Sequence, residues 1–282
     1  MLDEKRLKNY LPSLSPIPTQ LRPEGFVSTK LKCILFDIYG TLFISGSGDI
    51  GTAKKHTQNF GKLETLLADY GLDEQPQRIL DKLFHAIEKE HQKLKQTGVD
   101  YPEVDIVRIW QRVLDFESIQ AVSDFALEFE VIANPAYPMP HLAELLSVCR
   151  DRGIHMGIIS NAQFYTPLLF KWFLNSNLPN LGFDPNLVFL SYQHGCAKPS
   201  PILFQRAVDQ LDKMGIETSS VLYLGNDMLN DILPANRAGF QTALFAGDAR
   251  SLRLRKDDPR CEGLAADLVI TDLIQLVELL DQ

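Results

Sequence analysis

The sequence predicts an α/β protein, a doubly wound parallel sheet carrying an inserted all-helical domain. Short apolar runs alternate with helical stretches beyond residue 137, which implies right-handed βαβ crossovers and a parallel sheet. Residues 56 to about 133 instead show helical spacing alone, with no β-like alternation. Polar groups stand where the apolar runs stop, the edge at which open α/β sheets place reacting groups.

Taken in order, residues 1–30 hold Pro12, Pro16, Pro18 and Pro23 in a polar setting and read as an N-terminal arm, extended on the surface or a disordered leader. Cys33-Ile34-Leu35-Phe36 reads as a buried strand ending in the tight turn Asp37-Ile38-Tyr39-Gly40-Thr41. The glycine-rich stretch Ser45–Gly51 has Thr52 where a phosphate loop needs lysine, so it reads as a flexible connection. Leu80, Leu83, Phe84, Ile87 and Leu94 recur at helical spacing, as do Ile106, Trp110 and Val113. The expected division is an arm over 1–30, a core over 31–45 and 137–282, and a helical domain over 46–136.

Past the insertion, Leu142, Leu145, Leu146 and Cys149 line a helix that Gly153 stops. His155 to Asn161 reads as a strand. Ser200 is an N-cap with Pro201 at the first helical position, opening a helix with Ile202, Leu203, Ala207 and Leu211. Val221–Leu224, closed by Gly225, then Thr242–Phe245 and Leu268–Ile270 supply three more strands.

With 28 basic against 36 acidic residues the formal charge is −8, which argues against general nucleic-acid binding. No apolar stretch approaches the ~20 residues needed to span a bilayer, and the N-terminus lacks an apolar signal core. Cys33, Cys149, Cys196 and Cys261 are far apart and show neither C-x-x-C nor zinc spacing, so they read as free thiols. A cytoplasmic monomer or homodimer is expected, with no membrane or nucleic-acid partner.

Four polar groups recur in order: Phe36-Asp37-Ile38-Tyr39-Gly40-Thr41-Leu42, Ile159-Ser160-Asn161, Lys198-Pro199, and Leu224-Gly225-Asn226-Asp227-Met228-Leu229-Asn230-Asp231-Ile232. If each stands at a strand end, a parallel sheet brings them to one edge. Singly, each has a plainer reading. Asp37 could be a turn aspartate, Lys198 a solvated lysine, and Asp227 and Asp231 a helix N-terminal charge pair.

Together the motifs resemble the haloacid dehalogenase (HAD) superfamily of hydrolases, with its Rossmann-like core and inserted helical cap. The resemblance covers about residues 31 to 272. It implies that Asp37 is a nucleophile forming a covalent ester, with Thr41, Ser160, Lys198 and Asp231 as its catalytic partners. Tyr39, Gly40 and Asn161 would meet the substrate. Mg²⁺ would be held by Asp37, the backbone carbonyl of Tyr39, and Asp227 or Asp231.

Two positions depart from the family pattern. Tyr39 stands where phosphatases carry an acid that protonates the leaving group, worth ~10²–10⁴-fold. The family's 2-haloacid dehalogenases look like this instead, because halide leaves without a proton. They also hold the substrate carboxylate with a cap arginine, and Arg78, Arg108 and Arg112 are not in a matching context. Asn226 shifts the first acid of the last motif to Asp227. The reading is therefore Mg²⁺-dependent hydrolysis of a small phosphorylated metabolite. Metal-free carbon–halide hydrolysis is the first alternative, and a catalytically weak binding protein of the same fold is the second. The basic run Arg250, Arg253, Arg255, Lys256 and Arg260 reads as a solvated face unless its loop reaches the sheet edge.

Overall fold

A computed structural model describes Leu7 and residues 10–27, 30–47 and 60–280. The strands are β1 (Glu24–Gly25), β2 (Cys33–Phe36), β3 (Phe43–Ser45), β4 (Ala136–Pro138), β5 (His155–Ser160), β6 (Phe183–Leu190), β7 (Val221–Gly225), β8 (Gln241–Phe245) and β9 (Leu268–Ile270). The longer helices are α1 (Phe60–Asp69), α2 (Pro76–Gln96), α3 (Ile106–Val113), α4 (Ile119–Ala133), α5 (Leu142–Asp151), α6 (Thr166–Leu174) and α7 (Pro201–Lys213). Two short ones follow, α8 (Leu233–Arg237) and α9 (Ile274–Leu280).

The main sheet runs β1-β9-β8-β7-β2-β5-β6. β2 pairs in parallel with both β5 and β7, so every one of its residues is buried. That double burial is why its sequence is a continuous apolar run. Alternate residues serve opposite faces. Ile34 and Phe36 pack with Leu142, Leu145 and Phe170, whereas Cys33 and Leu35 pack with Leu203, Phe204 and Leu211. α7 opens as its sequence indicates, with the Ser200 hydroxyl accepting from Ile202 N at 3.4 Å.

Two features differ from expectation. β1 joins β9 antiparallel, so the arm contributes an edge strand to an otherwise parallel sheet. Its approach is tied down by Ile17 N donating to Asp248 Oδ1 at 3.1 Å and Thr19 Oγ1 donating to the carbonyl of Ala246 at 2.7 Å. β6 was not anticipated, because Asp184-Pro185-Asn186 reads as a turn; it survives at the sheet edge, where Pro is tolerated. The expected flexible connection over Ser45–Gly51 lies outside the described residues from residue 48 onward.

α1 to α4 enclose an apolar cluster of their own, with Leu66, Ile79, Leu83 and Trp110 at its heart. Trp110 is fully buried and meets Phe125 and Phe129 edge-on, ring centres 4.9 and 4.8 Å apart. Phe84 packs against the cluster as its spacing predicts, while Tyr101 leaves the packing and its hydroxyl accepts from Arg260 Nη1 at 2.8 Å. The two passages between helical part and sheet run side by side as the antiparallel pair β3–β4. Asn134 Oδ1 clamps them, accepting from Ser45 Oγ and Ser47 Oγ at 2.8 Å each.

Trp110→Ala removes the largest side chain of the helical cluster. It is expected to lower stability by ~3–5 kcal/mol. A urea midpoint close to that of the wild type would contradict this packing.

Candidate active site

β2 ends by handing its ladder to Asp37, whose N–H donates to the carbonyl of Leu224 at 2.9 Å. The chain then turns back on Ile38, whose carbonyl accepts from the amides of Leu42 and Phe43 at 2.9 Å each. Gly40 makes the turn possible with φ of +83°, and a Cβ there would come within 2.4 Å of Ser251 Cβ. Glycine at position 40 therefore reflects a close approach as well as a left-handed backbone. It shapes the site without itself offering a side chain to a substrate.

Lys198 binds the constellation together. Its ammonium donates to Asp37 Oδ1 at 2.6 Å and to Asp231 Oδ1 at 2.5 Å, with all three residues buried. Burial opposes its charge, yet Asp231 and Asp37 outweigh that and hold the ammonium above the ordinary lysine value. Burial pushes Asp231 up, and Asp37 and Asp227 add to it against the pull of Lys198, leaving it at about 6. Lys198 is not at a strand end, as its motif suggested. It follows β6 by a short helical turn, Ser191–His194, and precedes α7. The Lys198–Pro199 peptide is cis.

Asn161 fixes this loop. Its Oδ1 accepts from Lys198 N at 2.7 Å, and its Nδ2 donates to the Lys198 carbonyl at 3.3 Å. The side-chain amide expected to meet substrate thus positions Lys198, and Asn161 also lines the cavity formed by these groups. Ser160 Oγ donates to Asp37 Oδ1 at 2.9 Å, so that oxygen has two donors. Asp37 Oδ2 lies 3.4 Å from Thr41 Oγ1, which is itself 3.2 Å from Asn226 Oδ1. Tyr39 turns its phenol to Thr166 Oγ1 at 3.1 Å, where burial and then the charge of Glu130 raise it far above the ordinary tyrosine value. That environment keeps the phenol protonated near neutrality.

The last motif divides its acids. Asp231 Oδ2 accepts the amides of Asn226 and Asp227 at 2.9 Å each, while its Oδ1 holds Lys198 and lies 3.0 Å from the Tyr223 hydroxyl. Gly225 lets this carboxylate sit against the strand, since a Cβ there would come within 2.4 Å of its Cγ. Asp227 accepts from Leu229 N at 2.9 Å and from Arg255 Nε at 3.0 Å. The shift read at Asn226 is real in space: the amide, not Asp227, faces Thr41 beside the free side of Asp37.

These groups line a cavity of about 190 Å³. Asp37, Lys198, Asn226, Asp227 and Asp231 form its floor, with Arg253 and Arg255 beside them. The basic run thus reaches the sheet edge through these two, because Arg253 N bonds to the carbonyl of Asn226 at 3.0 Å and its carbonyl accepts from Met228 N at 2.9 Å. Glu103, Glu130, Asn134 and Gln163 also line it. None of these four was expected; isolated polar residues in helical or loop context carry no signal until the cap is placed over the sheet.

The residues read as metal ligands, Asp37, Tyr39, Asp227 and Asp231, all line this cavity. Both oxygens of Asp231 and of Asp227 already have cationic or amide partners. Among the described residues no three His, Cys, Asp or Glu side chains gather as metal ligands. Asn226 Oδ1, beside Thr41 Oγ1, adds an oxygen suited to Mg²⁺, which binds through one or two carboxylates plus substrate phosphate.

A family model described as haloacid dehalogenase-like hydrolase matches residues 31–239. The chain is 27% identical over 143 residues to the ribulose-1,5-bisphosphate 5-phosphatase of Halopiger xanaduensis, a match covering 50% of this chain. The chain spans 56% of that relative's length. The HAD phosphatase of Thermococcus onnurineus has TM-score 0.52 at 21% identity, over 89% of this chain and 98% of that one. The 2-haloacid dehalogenase of Pseudomonas syringae pv. Tomato DC3000 gives 0.52 at 19%, over the same shares of 89% and 98%. Such identities establish a common fold and leave the reaction open.

Lys198→Met strands two buried carboxylates and is expected to destabilise the protein by ~3–5 kcal/mol in chemical denaturation. Asp231 holds a proton more tightly when folded (about 6) than its ordinary 3.8. It therefore favours the folded state below that lower value, and the contribution is lost as pH rises through about 6. Asp231→Asn should flatten the stability profile across this window, and an unchanged slope would rule the group out.

Proposed function

Because the chain belongs to the haloacid dehalogenase-like hydrolases, we propose that it hydrolyses a small phosphorylated metabolite through a covalent ester on Asp37. One observation carries this reading: the two oxygens of Asp37 have different surroundings. Oδ1 is held by Lys198 and Ser160, which leaves Oδ2 as the attacking atom on the side of Thr41. Oδ2 bonds to phosphorus while the bond from phosphorus to the leaving oxygen breaks, and the leaving alkoxide takes its proton from water. A second water then attacks phosphorus, releasing phosphate and regenerating the carboxylate.

Lys198 offsets part of the repulsion between a carboxylate and a phosphoryl dianion, and Arg253 and Arg255 bring further positive charge to the cavity. Mg²⁺ would fit this reading if held by the carbonyl of Tyr39 and Asn226 Oδ1 beside Asp37. Bound there it would act as a Lewis acid on the phosphoryl oxygens. The similarity to a phosphatase of Halopiger xanaduensis supports phosphate over halide. So does the surface position of Arg108 and Arg112, the latter paired with Glu90, since neither lines the cavity to hold a haloacid carboxylate.

A second reading, metal-free displacement of halide from an activated carbon, draws on Tyr39, whose buried phenol replaces a proton donor that halide does not need. Four free thiols, three of them buried, suit a reducing cytoplasmic setting. Among the described residues no helix is long and apolar enough to cross a membrane.

An aryl phosphate with Mg²⁺ and 2-chloropropionate with EDTA, assayed side by side, separate the two chemistries. Turnover of the aryl phosphate is expected; turnover of the haloacid alone would replace the first reading with the second. No turnover across a broad panel would leave a binding protein. Asp37→Asn should abolish the activity, and full retention would remove Asp37 as nucleophile. Asn226→Ala is expected to weaken Mg²⁺ binding measured by calorimetry, an outcome independent of turnover.

A further inference from the structure

Part of the basic run alternates polar and apolar residues, Ser251-Leu252-Arg253-Leu254-Arg255, as an extended stretch with two faces does. Ser251, Arg253 and Arg255 line the cavity. Leu252 and Leu254 instead pack, with Leu21 of the N-terminal arm, on the apolar cluster of Met228, Ile232 and Leu244. The backbone of Arg253 bridges to the last motif, and the Ser251 carbonyl accepts from Asn226 Nδ2 at 2.6 Å. Neither the arm nor this segment falls within residues 31–239, the part that the family model matches.

Asp248 ties these two additions together. It is buried and is not among the residues lining the cavity. Its Oδ1 accepts from Ile17 N at 3.1 Å and from Arg250 N at 3.2 Å, and its Oδ2 accepts from Arg250 Nη1 at 2.9 Å. Arg250 in turn donates to the Ser15 carbonyl, and Ala249 N donates to the Ile17 carbonyl at 2.8 Å. The Asp248 carbonyl winds the following chain into a turn, accepting from Ser251 N at 3.2 Å and Leu252 N at 3.0 Å. The carbonyls of Arg250 and Leu252 thereby meet Arg253, whose Nη1 donates to them at 2.8 and 3.0 Å. A guanidinium held in this way loses less freedom when an anion binds.

Resting on the phosphatase reading, we infer that Asp248 is a positioning residue for substrate binding. It fastens the N-terminal arm, as a strap, to the turn before Arg253, and so sets that guanidinium to take an oxygen of the substrate's phosphoryl group. Without the Asp248 carboxylate, the amides of Ile17 and Arg250 and the Arg250 guanidinium lose their acceptor, and the turn loosens from the arm. Part of the binding energy then goes into ordering Arg253. That loss falls on substrate and transition state alike, so it raises KM and leaves kcat little changed. The sign is informative. Removing the negative charge of Asp248 would by itself strengthen anion binding, so weaker binding reports position and not charge.

Calorimetric titration of the full chain with inorganic phosphate, beside KM and kcat for an aryl phosphate, tests this. Asp248→Ala is expected to weaken phosphate binding and raise KM by about tenfold or more, with kcat within about threefold. Asp248→Asn keeps an oxygen for the amides of Ile17 and Arg250 and should recover most of the affinity. Ile17 is exposed, so Ile17→Pro removes one donor to Asp248 without changing charge. It should weaken phosphate binding in the same direction, and it carries the test if circular dichroism shows that Asp248→Ala does not fold. Arg253→Met should lose phosphate affinity too, and adding Asp248→Ala to it should cost little more. Wild-type phosphate affinity and KM in the folded variants overturn the inference, as does full additivity of the Asp248 and Arg253 changes. If the wild type turns over the aryl phosphate and the variants match it, only the positioning role falls. If the wild type neither turns it over nor binds inorganic phosphate, the phosphatase reading falls and this inference with it.

Discussion

One ammonium group between two buried carboxylates organises this molecule. Lys198 reaches Asp37 and Asp231 together, so three segments remote in sequence must close on the same point. A buried charge cluster of this kind is weak evidence for stability, since desolvation offsets most of its attraction. Its value lies in geometry. It fixes which oxygen of Asp37 is occupied, and the layers behind it hold it in place: Asn161 on the Lys198 backbone, the amides of Asn226 and Asp227 on Asp231, and the Tyr223 hydroxyl alongside.

The backbone around the cluster is equally constrained. Gly40 and Gly225 occur where a side chain would collide with Ser251 or with Asp231 itself. The last motif can therefore come close enough to β2 for Thr41 to sit between Asp37 and Asn226. Over this floor stands a helical part with its own apolar core, joined through one clamped pair of strands. That construction divides the lining of the cavity: the sheet-bearing part supplies Asp37, Lys198, Arg253 and Arg255, and the insertion supplies Glu103, Glu130 and Asn134.

The motif residues were legible because strand ends in a parallel sheet share an edge, so order along the chain became proximity in space. Asp37, Ser160, Lys198 and Asp231 meet as read. Their roles were less legible. Asn161, read as a substrate ligand, also braces Lys198, and Asp227, read as a metal ligand, also binds Arg255 and the amide of Leu229. Residue type gives a side chain's capacity, but partners that compete for it lie elsewhere in the chain.

Local pattern was sufficient for β2, β5, β7 and α7, whose apolar runs, caps and stop signals act over a few residues. It failed for β6, hidden by a turn-like Asp-Pro-Asn, and for β1, whose two residues become a strand only through the edge of β9. The sequence by itself determined the α/β sheet, the helical insertion and the place of Asp37 at a strand end, because hydrophobic periodicity and strand-end position are written locally. Tertiary structure alone decided that Asn226 rather than Asp227 accepts from Thr41, and that Arg253, Arg255, Glu103 and Glu130 line the cavity. Each of those outcomes depends on long-range packing that places one loop or helix against another, which no window of sequence contains.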